Sequence, residues 1–113
     1  MKHNTPRKPS AHILKHIDRW FFLSKVRGVL LLFSHRSMRQ IGSVSNGSLI
    51  HDGYSRITVK RRTLKRSHIC FYLFHGRWPK NQLDHIDDVK TNDDPRNLRE
   101  VTDKENQAKR WKR

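Results

Sequence analysis

Two stretches decide how this chain reads: Leu83-Asp84-His85-Ile86-Asp87-Asp88, and then Asn97-Leu98-Arg99-Glu100-Val101-Thr102-Asp103-Lys104-Glu105-Asn106. Gln82 to Ile86 has the short apolar alternation of a strand, with Leu83 and His85 on one face and Asp84 on the other. Leu98 to Val101 reads as a second strand. Between them, Asp87 to Arg96 carries Asp87, Asp88, Asn92, Asp93, Asp94 and Pro95, a composition that favours a loop. Thr102-Asp103-Lys104-Glu105 matches a capping box, in which Thr102 caps a helix and Glu105 reaches back to its amide, so Asn106 falls in the first helical turn. Strand, loop, strand and helix bring residues that are distant in sequence to one place.

Those residues suit one kind of chemistry. Phosphodiester hydrolysis needs a base to activate water, charge stabilisation at the pentavalent phosphorus, and help for the departing 3′ oxygen. Histidine has an ordinary pKa near neutrality, so the ring of His85 can take a proton from water at physiological pH. A carboxylate and an amide oxygen suit Mg²⁺, which keeps several of its waters and takes few protein ligands. Asp84 and Asn106 fit that description, for one divalent ion, Mg²⁺ first and Mn²⁺ as the alternative.

On these residues, positions 53 to 106 resemble the HNH endonucleases, in particular the small phage and intron-borne homing type. Further points of resemblance are Gly53-Tyr54 opening a strand, His68 ahead of an apolar helix, Gly76-Arg77-Trp78-Pro79 before the Asp-His pair, and Asn97-Leu98-Arg99-Glu100-Val101-Thr102 after it. The resemblance implies a beta-beta-alpha metal finger. It also implies His85 as general base, Asp84 and Asn106 as metal ligands, and Asn97 as the residue that braces the loop and orients the base. The chain departs from the pattern where many relatives have Asp-Asn-Arg: it reads Asn92-Asp93-Asp94, an acid in place of the usual basic residue. The third letter of the motif is Asn106 rather than His, which favours a hard-metal, single-ion site.

Composition points to a nucleic-acid partner. The 113 residues hold 25 Lys and Arg against 10 Asp and Glu, a net charge of +15, and the pI is near 11.0. Such a field attracts polyanions, although ribosomal and architectural proteins are equally basic. The cations cluster at Lys60-Arg61-Arg62, Lys65-Arg66 and Lys109 to Arg113, and the acids gather around the motif. Arg61, Arg62, Lys65, Arg99, Lys109 and Arg110 are the candidate contacts to duplex DNA. Arg99 has two readings, a clamp on the scissile phosphate and a salt bridge to a nearby Asp. His68 likewise reads as a phosphate contact or a structural histidine.

The expected fold is a small α+β single domain with a beta-beta-alpha metal finger in its C-terminal half. It divides into a basic disordered arm (1–9), a helix and strand region (10–50) and an HNH nuclease domain (51–113). Ser10 can cap a helix whose apolar stripe is Ile13, Leu14, Ile17, Trp20, Phe21 and Leu23, with Gly28 ending it and Val29 to Phe33 following as a buried strand. Ser43 to Gly53 is turn-rich and leads into a strand from Tyr54 to Val59. The lone Cys70 excludes an internal disulfide framework and a Cys-rich zinc finger. The apolar run Trp20 to Phe33 is too short, and with Lys25 and Arg27 too charged, to span a bilayer. No signal peptide is evident, which suggests the cytoplasm, that of the host cell if the protein is phage-encoded; a monomer is a reasonable working form. The favoured function is a metal-dependent DNA endonuclease. The competing one is a basic nucleic-acid-binding module that keeps the fold without significant catalysis.

Overall fold

The computed structural model describes residues 7–41, 48–49, 55–102 and 104–105. Within them the order is α1 (Ala11–Trp20), β1 (Phe21–Val26), β2 (Val29–Ser34), β3 (Ser48–Leu49), β4 (Ser55–Val59), β5 (Arg62–Lys65), α2 (Arg66–His75), β6 (Gln82–His85), a 3-10 turn at Pro95–Asn97 and β7 (Leu98–Val101). The strands form small antiparallel sheets, β1-β2, β3-β4-β5 and β6-β7. This is a small α+β fold.

Ser10 caps α1, its side chain accepting from the Ile13 amide at 3.4 Å. Ile13, Leu14 and Ile17 carry the apolar stripe onto the core, where Ile17 is completely buried. The helix ends at Trp20, and Gly28 does not terminate it. Phe21–Val26 and Val29–Ser34 instead pair residue for residue from Phe21↔Ser34 to Val26↔Val29. The two-residue loop between them is Arg27 and Gly28, both with positive φ. Two apolar runs separated by such a pair are a hairpin signal, because a doubly left-handed turn matches the twist of the strands. Phe21 and Leu23 satisfy a helical stripe and a strand alternation equally, and the turn decides between them. Lys60 and Arg61 repeat this backbone between β4 and β5, with φ of 50° and 70° and no glycine.

The helix α2 is apolar over most of its surface and is accordingly packed on several sides, with Ile69, Cys70 and Phe71 all buried. Gly76 ends it in the left-handed conformation, donating its amide to the Tyr72 carbonyl. Ile17, Leu32, Val59, Leu64, Ile69, Cys70 and Trp78 form one core cluster, so the N-terminal helix and hairpin share their apolar interior with the elements that follow. Pro9 is already buried ahead of α1. The strand at Tyr54 to Val59 is found as β4, with Tyr54 itself outside the described residues. So are the first six residues of the basic arm and most of the turn-rich stretch.

Candidate active site and its carboxylate network

The strands β6 and β7 pair with Asp84 opposite Arg99 and His85 opposite Leu98. Alternation along β6 therefore separates the two residues of the pair. His85 turns inward, 5 % exposed, while Asp84 meets Arg99 across the ladder, Arg99 Nε donating to Asp84 Oδ2 at 3.2 Å. Of the two readings of Arg99, the salt bridge is the one formed. Thr102 and Glu105 make the expected capping box: Glu105 accepts from the Thr102 amide at 3.0 Å, and Thr102 Oγ1 accepts from the Glu105 amide at 3.1 Å. Lys104 and Glu105 are helical. Asn106, Lys109 and Arg110 lie outside the described residues.

The loop between β6 and β7 is held from within by Asn97. Its Oδ1 accepts from the Asp87 amide at 3.2 Å, and its Nδ2 donates to Asp87 Oδ1 and to the Asn92 carbonyl, both at 3.0 Å. The Asp87 carboxyl is held below its ordinary value by Asn92 Nδ2, the Val89 amide and Asn97. Asn97→Ala is expected to lower stability by about 1 to 3 kcal/mol, because three loop groups lose their partners. Thermal melting checks this, and a variant with unchanged melting but no cleavage would place Asn97 among the reacting groups instead.

Asp94 closes the loop onto the N-terminal hairpin. It caps the 3-10 turn, accepts from Arg96, and reaches the Leu30 amide at 2.9 Å, while Arg96 donates to the Gly28 carbonyl at 2.7 Å. The Arg96 guanidinium chiefly holds the Asp94 carboxyl at about 2. The acid standing where relatives have a basic residue thus has a structural role.

Asp93, its neighbour, was legible only as part of that departure. It is buried between two partners: His85 Nε2 lies 2.7 Å from its Oδ1, and Arg66 Nε donates to its Oδ2 at 2.8 Å. Arg66 also donates to the Thr91 carbonyl at 2.8 Å and the Ile41 carbonyl at 3.3 Å. Its place in a basic run marks it as a surface cation, whereas its position in the first turn of the buried helix α2 puts it 7 % exposed in the interior.

The remaining candidates lie elsewhere. Arg61 is exposed in the β4–β5 turn, Arg62 is half-buried on β5, and Lys65 precedes α2. Burial pushes the His68 imidazole down to about 4, against the edge of Trp78, so it is uncharged at neutral pH and behaves as a structural histidine. His16 of α1 is pushed down by burial and then by Lys60, Arg36 and His12, which places cations from several elements around it. Arg19 and Arg36 both lie over the Trp20 ring, at 5.2 and 5.0 Å from its centre.

Residues 65–108 match the family model of the HNH endonucleases. This segment, from the start of α2 through the capping box, belongs to the HNH family, whose members are nucleases acting on nucleic acid. No curated protein and no solved structure matches the chain. No helix among the described residues is long and apolar enough to cross a membrane.

Proposed function

We propose that the protein is a metal-dependent endonuclease that hydrolyses phosphodiester bonds in duplex DNA, with His85 as general base. The observation that carries this reading is the placement of His85 beside Asp84 on β6, within the family-matched segment and above a loop braced by Asn97. His85 takes a proton from water as the water oxygen bonds to phosphorus. The bond to the 3′ oxygen breaks, and that oxygen leaves with the electron pair and is protonated from solvent.

Among the described residues no group of three or more His, Cys, Asp or Glu is arranged to hold a metal. The donor set we propose is smaller, the Asp84 carboxylate with the amide oxygen of Asn106. Hard oxygen donors of this kind fit Mg²⁺ or Mn²⁺. When bound, such an ion would stabilise charge on the phosphorus and the departing oxygen. Arg99 would then exchange its bond to Asp84 for contact with the phosphate.

Supercoiled plasmid incubated with the purified protein should be nicked or linearised with Mg²⁺ or Mn²⁺ and left intact with EDTA. Binding without cutting under every metal condition would make the protein a basic binding module that kept the fold.

Arg61, Arg62, Lys65 and the Lys109–Arg110 tail are proposed phosphate contacts. Log K for duplex DNA should decline with log salt by about 0.9 per phosphate neutralised, and replacing Arg61 and Arg62 with Ala should flatten the slope by about two such increments. The weakening should be alike on unrelated sequences, since phosphate contacts position a protein without reading bases. An unchanged slope would shift the contact to the cations around α1, His12, His16, Arg19 and Arg36.

A further inference from the structure

We infer that Asp93 is a positioning residue for the base: it fixes the His85 proton on Nε2 and so makes Nδ1 the nitrogen that accepts the proton from water. This rests on the reading of His85 as the base. The argument begins with what Asp93 can do. A carboxylate whose Oδ2 accepts from Arg66 Nε at 2.8 Å acts toward its other neighbour as an acceptor too, so the ring nitrogen 2.7 Å from Oδ1 must be the donor. A neutral imidazole has one donor and one acceptor nitrogen, so a donor at Nε2 leaves Nδ1 as the acceptor.

Burial makes the arrangement persistent. His85, Asp93 and Arg66 are 5, 6 and 7 % exposed, so water competes little for these bonds. Arg66 is itself fixed by the Thr91 and Ile41 carbonyls, and the Asp93 amide donates to the Thr91 carbonyl at 3.1 Å. The carboxylate is thus oriented from both its backbone and its far oxygen. Asp87 and Asp88, the other acids of this loop, are exposed and have no such arrangement.

Arg66 also makes Asp93→Asn an informative variant. The guanidinium holds the amide oxygen on its own side, which turns the NH₂ group toward His85. That group donates to Nε2, and the ring proton is driven to Nδ1, where it blocks proton acceptance.

The test combines ¹⁵N-resolved NMR of the His85 ring in wild type and Asp93→Asn with single-turnover cleavage and DNA affinity of Asp93→Asn and His85→Ala. The expected results are Nε2–H in wild type and Nδ1–H in Asp93→Asn, with cleavage lowered by at least about 10²-fold, the lower bound for a lost general base, at unchanged DNA affinity. A wild-type ring protonated on Nδ1 would overturn the inference, and so would a folded Asp93→Asn that cuts like wild type. If Asp93→Asn does not fold, the wild-type tautomer decides alone. A His85→Ala variant that cuts normally would remove the base itself. Lost cleavage in His85→Ala beside full cleavage in Asp93→Asn would remove only the positioning role.

Discussion

His85→Ala should bind DNA as the wild type does and cleave it roughly 10²- to 10⁴-fold more slowly, the usual size of a missing general base. The size follows from the chemistry, since nothing else at the end of β6 offers an imidazole: His68 is uncharged and packed against Trp78, and His75 is exposed at the end of α2, against Phe71. The substitution also removes one partner of a buried carboxylate, so cleavage must be compared at matched folded fraction. Circular dichroism at the assay temperature supplies that control. Unchanged nicking by the folded variant would remove His85 from the chemistry and with it the proposed mechanism.

Arg66→Ala is expected to have the largest effect on stability, about 3 to 5 kcal/mol, the cost of leaving one charge of a buried pair uncompensated. Arg66 and Asp93 side chains are 8 and 5 % exposed, and the truncation strands Asp93 Oδ2 together with the Thr91 and Ile41 carbonyls. A small domain has only about 5 to 15 kcal/mol in total, so the variant should be partly unfolded at physiological temperature. The Arg77–Glu100 pair is the internal comparison. It is as short, at 2.6 Å, but the Arg77 side chain is 47 % exposed, and Glu100 keeps the Lys80 and Asn81 amides when Arg77 is truncated. Arg77→Ala should therefore cost no more than about 1 kcal/mol. Urea denaturation of the two variants checks both values, and equal losses would show that burial does not govern the Arg66 pair.

The parts of this protein readable from sequence are those whose cause is local. Gln82–His85 and Leu98–Val101 alternate with the period of a strand, Thr102 and Glu105 cap one another three residues apart, and Gly76 takes the left-handed conformation that ends α2. The adjacency of Asp84 and His85 is covalent, and Asn97 braces its loop over short separations. Tertiary structure decided what spacing alone does not carry. Phe21 and Leu23 fit helix and strand alike until the Arg27-Gly28 turn pairs β1 with β2. Asp94 meets Leu30, and Asp93 meets Arg66, only after the hairpin and α2 have packed around the loop. A cation in a basic run and an acid in an acidic loop each read as solvated, because water satisfies either one separately. Only their joint burial makes them partners, and that burial sets which nitrogen of His85 holds its proton.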